Sequence, residues 1–483
     1  MSRSGDLISP QTRHVALFPS AGMGHLIPFL RFGALLLRRT NCRVTLITVN
    51  PTVSLAESQH TSQFLSAYPQ VTPLQLNLIP VDPATVNSDD PFWLRFEAVR
   101  RSAHLLGPLL SSASPPLSAL VHDVSLISPV IPIAESLSLH SYVLFPASAR
   151  MLSFVSYFST FAAAGFGSAN SDPLLRIPGI SPIPRSSIPP PLLDPNSLFS
   201  RILMEDSPNL SRLNGILINS FEGLETEALE AINGGKVTKG SPPLFAVGPF
   251  PPFEFEKAEW STPLNWLDQQ PEGSVVYVSF GSRTALSRDQ ITEVGEGLVK
   301  SGCRFFWVVK DKKVDKEEDG GLNDVVGGEL MEKMRGRGLV VKQWVDQSEV
   351  LSHRAVGGFV SHCGWNSVGE AALYGVRILA WPQNGDQKIN AEVVRASGLG
   401  IWVESWGWRS GGGGDDRTVV VKGDEIGERV RELMGGESLR LQAAKIGDVA
   451  RKASEVGGTR ENALERFIGE LLETKKNGTT TLL

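Results

Sequence analysis

Cysteine is scarce in this sequence. The 483 residues include three, Cys42, Cys303 and Cys363, too few for a closed disulfide framework and spaced for no zinc site. Free thiols in a reducing compartment are the expected state. Long apolar runs are missing too: nothing approaches the ~20 residues of a spanning helix. The opening MSRSGDLISPQTR lacks the apolar core of a secretory leader. A cytoplasmic location is expected, with the sequons at Asn209 and Asn477 unused. Positive charge is not in surplus either. The 46 Lys and Arg against 51 Asp and Glu give a net charge of −5, so no basic surface is offered to nucleic acid or an anionic membrane. An anionic small ligand stays open, because backbone amides at helix N-termini bind phosphate without lysine or arginine.

What is present is the composition of a globular protein, 41% hydrophobic and 20% charged. The length fits two domains of about 200 residues each. Apolar runs HVALFPS, RVTLITVN, LQLNLIPV, SALVHDV, HSYVLFP and GILINS read as buried strands, with helical patterns such as PFLRFGALLLRR and WLRFEAVRRSAHLLGPLL between them. That alternation predicts βαβ units and a mostly parallel sheet. IPGISPIPRSSIPPPLLDP reads as a surface excursion, and GSPPLFAVGPFPPFEF (240–255) as the boundary between domains. After it the alternation restarts with SVVYVSFGS, RFFWVVK, LVVKQWV, VGGFVSHC, ILAWPQ and GIWVES. The expected division is a first domain over 1–245, a linker over 246–260, a second domain over 261–458 and a terminal helix with a disordered tail over 459–483. Residues 311–321 and 405–417 read as exposed loops.

Two constellations carry chemistry. HVALFPSAGMGHLIPFLRF reads as strand, glycine turn and helix, which puts His25 at the carboxyl edge of the sheet, where open α/β folds bind ligands. The dinucleotide fingerprint is half present: Gly22 and Gly24 stand, but the third position is Ile27, which argues against a nicotinamide enzyme. Asp123, ending SALVHD, shares that edge and is placed to accept a proton from the imidazole, fixing its tautomer and favouring its charged form. Free imidazole titrates near ~6.5 and a phenol near ~10, so proton transfer between them starts about 5 kcal/mol uphill. A buried carboxylate narrows that gap. A capping role for His25 competes with a role as base; His122 should face the other side of the strand, and His14 reads as structural.

The second constellation runs from Trp344 to Gln387. Strand VGGFVSHC, turn GWNS and helix VGEAALYG make an anion cradle of free amides and helix dipole, with His362, Asn366 and Ser367 at its rim. Trp344 offers a face for a base and Glu370 an acceptor for a ribose diol. Asp386 and Gln387 follow the next strand.

This segment resembles, over its whole length, the donor-binding box of the plant family 1 UDP-sugar glycosyltransferases. PSAGMGHLIP, SALVHD and VSFGS match other motifs of the same family. The resemblance implies two tandem Rossmann-like domains of GT-B type facing across a cleft, with NALERFIGELLETKK returning to the first domain. It implies His25 as base with Asp123 as its partner, and Trp344 and Gln347 on the uracil. Glu370 would take the ribose; His362, Asn366, Ser367 and Ser282 the phosphates; Trp365, Asp386 and Gln387 the sugar hydroxyls. Gln at the last position accompanies glucose. The reaction would invert the sugar, with no metal and no cofactor beyond the UDP-glucose co-substrate, in a monomer.

Three departures bear on the product. Asp346 stands where the family has proline, and Gln383, Asn384 and Gly385 replace a bulkier stretch before Asp386. The triplet Asp90-Pro91-Phe92, with Ser282-Arg283-Thr284, resembles flavonoid C-glucosyltransferases, which attach glucose to a ring carbon of phloretin-like or 2-hydroxyflavanone acceptors. A helix cap at Asp90 and Pro91 is the competing reading, and O-transfer to a phenolic hydroxyl the competing reaction. A non-catalytic sugar-nucleotide sensor is a more distant alternative. Asp90, Phe92, Trp93 and Phe145 are the expected acceptor-lining residues.

Overall fold

The computed structural model describes residues 12–39, 42–52, 54–86, 91–166, 172–253, 264–310, 321–408 and 420–473. The first half forms β1 (Arg13–Phe18), β2 (Cys42–Asn50), β3 (Thr72–Asn77), β4 (Ala119–Asp123) and β5 (His140–Phe145). A short antiparallel pair, β6 (Leu174–Leu175) and β7 (Ile183–Pro184), precedes β8 (Gly215–Ile218) and β9 (Leu244–Ala246). Seven of these strands make one parallel sheet in the order β3-β2-β1-β4-β5-β8-β9. Side-chain alternation explains their apolar character. Val15 and Leu17 of β1 pack in one cluster with α1 (Met23–Leu37), while Ala16 and Phe18 pack in another beneath Val99, Leu106 and Leu110. Strands covered by helices on both faces need apolar residues at every position.

The second half repeats the plan with β10 (Val275–Ser279), β11 (Arg304–Val308), β12 (Gly338–Val341), β13 (Val356–Ser361), β14 (Arg377–Ala380) and β15 (Gly400–Trp402). All six are parallel, in the order β12-β11-β10-β13-β14-β15. Each sheet therefore has one place where the strand order turns back, β1/β4 in the first and β10/β13 in the second. At such a point the connections leave in opposite directions and a crevice opens beyond the carboxyl ends.

Three sequence expectations are corrected here. The Pro-rich stretch expected as boundary begins as β9, and Val247, Phe250 and Phe253 belong to the first domain's core, so the chain does not leave that domain at residue 246. The expected surface excursion buries Ile177, Ile183, Ile188 and Leu192 against the helix Ala149–Ala163; its prolines supply turns between core contacts. The long helical pattern after residue 90 is split into Pro91–Ser102 and Leu106–Ser111 by a tighter turn, because Pro108 has no N–H to give and crowds the carbonyl four residues back.

The helix Thr459–Glu473 packs Leu464, Phe467 and Ile468 into the core of the first domain, and Arg460 donates to Pro249 O. Other links cross between the halves. Phe221 and Leu224 join the second domain's cluster, and Ile389 joins the first domain's. Arg150 pairs with Glu392 at 2.9 Å, both side chains nearly buried. Among the described residues no helix is long and apolar enough to cross a membrane.

Candidate active site

The turn from β1 into α1 is shaped by Gly22. Its φ is +98°, and a Cβ there would stand 2.7 Å from the Phe92 ring, so both conformation and space require glycine. His25 follows in the first turn of α1, and β4, paired in register with β1, ends at Asp123. His25 Nδ1 lies 2.7 Å from Asp123 Oδ2. The other carboxylate oxygen accepts from Ser125 N at 3.0 Å and from Ser125 Oγ at 2.7 Å. Asp123 is fully buried, whereas the His25 side chain keeps 26% of its exposure; the ring is held from behind and open in front.

Burial opposes charge on both partners, and in both the pairing prevails. The Asp123 charge and hydrogen bond, helped by Asp386, outweigh desolvation and raise the His25 pKa, with Arg283 acting weakly the other way. His25 and Ser125 likewise outweigh desolvation and hold the Asp123 carboxyl below its ordinary range. An ionised Asp123 accepts, so Nδ1 carries the proton and Nε2 of the neutral ring is left with its lone pair. His122 points into the sheet packing, with Nε2 2.9 Å from Ser141 Oγ, and burial pushes it down to about 4. His14 spans Pro115 O and Thr45 Oγ1 at 2.6 and 2.8 Å. Neither faces the crevice chemistry.

Beside His25 stands an aromatic wall. Phe96 meets the imidazole edge-on at 6.4 Å, Phe92 and Trp93 lie 4.5 Å apart, and Phe199 packs 4.6 Å from Trp93. The guanidinium of Arg283, from the loop after β10, sits 3.7 Å over the Phe92 ring and so spans the two domains. Phe92 and Trp93 thus stand in this wall. Phe145 does not: it is 2% exposed and packs in the core cluster, because the alternation of β5 turns it inward. Asp90 lies outside the described residues.

The second crevice is built on β10 and β13. Cys363 takes a φ of +64°, a costly conformation for a residue with a side chain, and turns the chain into the helix Trp365–Tyr374. Gly364 at its N-cap gives no side-chain cap and the first turn has no acidic residue, so its positive end is open to an anion. His362 is clamped between Gly281 and Gly364, where a Cβ on either would stand 2.6 Å from its Nε2. Burial lowers its pKa to about 4, and Nδ1 is buried with no hydrogen-bond partner among the described residues. Ser282 and Asn366 are half-buried at the same rim.

Trp344 is 46% exposed, flanked by the edge of His60 at 6.3 Å and by Lys310 at 5.2 Å. Asp346 accepts from Ser348 N and Glu349 N at 2.9 and 3.1 Å; in place of proline it caps the helix that carries Gln347. Gln347 Nε2 donates to Ser367 Oγ at 2.9 Å and to Glu370 Oε2 at 2.8 Å. Trp365 is nearly buried, its indole N–H donating to Asn219 O of the first domain at 2.8 Å. Asp386, held by Asn390 at 2.9 Å, has its carboxyl raised by burial despite that bond and the His25 charge. Gln387 is turned onto its own loop: Oε1 accepts from Gln383 N and Asn384 N at 2.8 and 2.9 Å, and Nε2 donates to Asn384 Oδ1. The backbone at 383 and 384, with the Asn384 side chain, therefore fixes the orientation of Gln387.

Sequence reading gave no role to Arg31, Phe96 or Phe199, and took Arg283 only as part of the Ser282-Arg283-Thr284 motif. A lone arginine inside PFLRFGALLL is the signal that marks Arg31; nothing in one sequence marks Phe199, which reaches the wall from over 100 residues away.

Residues 261–408 match the family described as UDP-glucoronosyl and UDP-glucosyl transferase. Over 475 residues the chain is 56% identical to UDP-glycosyltransferase 708G2 of Citrus unshiu, covering 97% of this chain and 98% of that one. It is 47% identical to UDP-glycosyltransferase CGT of Oryza sativa subsp. indica, with 97% and 98% covered. Among solved structures it is similar to LpCGTa in complex with UDP, with a TM-score of 0.83, 45% identity, and 95% and 99% of the two chains covered. The protein belongs to the plant UDP-glycosyltransferases, and its two facing Rossmann-like domains are the GT-B fold.

Proposed function

We propose that this enzyme transfers glucose from UDP-glucose to a ring carbon of a phenolic, flavonoid-type acceptor, with inversion and without a metal. The observation that carries the reading is the His25–Asp123 pair, which leaves Nε2 as an open base beside an aromatic wall and opposite an uncapped helix N-terminus. UDP bound in the similar LpCGTa structure supports the donor, and the name CGT shared by that protein and the rice relative supports the carbon product.

In this reading the diphosphate lies on the first-turn amides of the helix Trp365–Tyr374, with His362, Ser282, Asn366 and Ser367 around it. Uracil stacks on Trp344, and Glu370 accepts from the ribose. Asp386 and Gln387 meet the glucose. His25 Nε2 takes the phenolic proton; the phenolate's charge spreads to the ortho carbon, which attacks the anomeric carbon from the face opposite the diphosphate. The anomeric C–O bond breaks with its electron pair leaving on UDP, where amides and helix dipole receive the charge. The substituted ring carbon then releases its proton to solvent and His25 returns its proton to the oxygen, restoring the aromatic phenol and the free base. Net, a ring hydrogen is exchanged for glucose, and UDP and a proton are released.

The test is recombinant enzyme with UDP-glucose and phloretin, with mass spectrometry before and after hot acid. A hexose adduct that survives acid is expected. An adduct that acid removes would make the enzyme an O-glucosyltransferase using the same dyad. No adduct on any phenol, with UDP still bound, would overturn the acceptor class.

A further inference from the structure

Arg31 lies in α1, six residues beyond His25 and about 9 Å further along the helix, in a run that is otherwise apolar. Its side chain is 5% exposed and reaches across the domain boundary to place NH2 2.7 Å from Glu370 Oε1, on a carboxylate that is 6% exposed. The other oxygen, Oε2, receives Gln347 Nε2 at 2.8 Å, and the same amide nitrogen reaches Ser367 Oγ at 2.9 Å. The four residues form one polar network. It joins Gln347, three residues beyond the exposed Trp344, to Ser367 and Glu370 of the helix Trp365–Tyr374 with its uncapped N-terminus; in the proposed reading a ribose lies there, between base and diphosphate.

The chemistry of the network is specific. A buried carboxylate without a cation is costly and tends to take up a proton or turn away. With one donor on each oxygen, Glu370 retains one acceptor position on each, which suits two neighbouring hydroxyls. We infer that Arg31 is the positioning residue that holds the Glu370 carboxylate ready for the ribose diol, so that the nucleoside subsite is complete only when the first domain is docked on the second. The inference rests on the reading of Glu370 given under Proposed function. It also gives α1 two roles, since the helix that presents the base carries the cation that finishes the donor site.

The test compares binding of UDP and 2′-deoxy-UDP by calorimetry, in the full-length wild type, Arg31→Gln and Arg31→Lys. The wild type is expected to prefer UDP by about 10-fold or more, the loss of one hydrogen bond to a charged group. In Arg31→Gln that preference falls below about threefold because UDP binds more weakly, while 2′-deoxy-UDP binds nearly as before. The donor KM rises accordingly, and kcat at saturating donor stays within about threefold, since an interaction lost equally from ground and transition states leaves kcat alone. A merely structural role would lower the melting temperature and the active fraction while leaving the UDP to 2′-deoxy-UDP ratio at its wild-type value. That retained ratio overturns the inference. A wild type with no preference overturns the reading of Glu370 itself, and the inference with it. Should Arg31→Gln fail to fold, Arg31→Lys decides by the same ratio: a point charge without the planar fork should lose part of the preference, and an unchanged ratio contradicts the proposal.

Discussion

Asp123 Oδ2 and His25 Nδ1 stand 2.7 Å apart although 98 residues separate them in the chain. The parallel pairing of β1 with β4, which matches Phe18 to His122, brings them together: one strand ends in the carboxylate, and the helix after its neighbour carries the imidazole in its first turn. The crevice between these strands faces the corresponding crevice between β10 and β13, and the proposed chemistry needs both.

Asp123→Asn should replace an accepting carboxylate with a neutral amide. Because Asp123 is what lifts the His25 pKa against desolvation, its loss should let that pKa fall. The base works only when unprotonated, so the acidic limb of the kcat/KM profile should move to lower pH, while the plateau drops by about 10³ as the tautomer is no longer fixed. A pH–rate profile checks both. A limb left in its wild-type position would mean that Asp123 does not govern the titration.

The two tryptophans should separate cleanly. Trp344 is 46% exposed and Trp365 is 4% exposed with its N–H bound across the domains. Trp344→Ala should leave the melting temperature almost unchanged and weaken UDP binding by about 10-fold or more, in line with ~1–3 kcal/mol for base stacking. Trp365→Phe should instead destabilise by about 1–3 kcal/mol, because Asn219 O is left without its donor. Calorimetric titration and thermal melting on both variants test the contrast.

Acid should weaken the fold through buried histidine. His122 is fully buried and its pKa is pushed down to about 4, while the unfolded chain takes up that proton near ~6.5. Its contribution is complete above ~6.5 and is lost as pH falls toward the folded value, by about 3 kcal/mol at most across the window. His122→Gln should flatten the decline in urea midpoint between pH 7 and pH 5. An equal decline in both proteins would assign the acid sensitivity to other groups.

The strands and both constellations were legible in the sequence because each rests on local chemistry: apolar runs buried on two faces, a glycine turn, a carboxylate at a strand end, a helix without a cap. β9 was hidden because its three residues sit among prolines that mimic a linker. Phe145 was misplaced on the cleft wall because strand periodicity does not say which face looks into the cleft. The links of Trp365 to Asn219 and of Arg31 to Glu370 could not be read at all. They depend on how two separately legible domains dock, and Glu370 is 339 residues from its arginine. Gln387 illustrates the same limit at short range, since its engagement with the backbone at 383 and 384 depends on a loop conformation rather than on residue type.

The central claim is that His25 is the base, and His25→Ala with UDP-glucose and phloretin tests it most directly. Transfer should fall by about 10²–10⁴, the usual worth of a positioned base, while UDP, which His25 does not hold in the proposed site, should bind within about threefold of wild type. Turnover near the wild-type rate, with a folded variant that still binds UDP, would remove His25 from the chemistry and contradict the account.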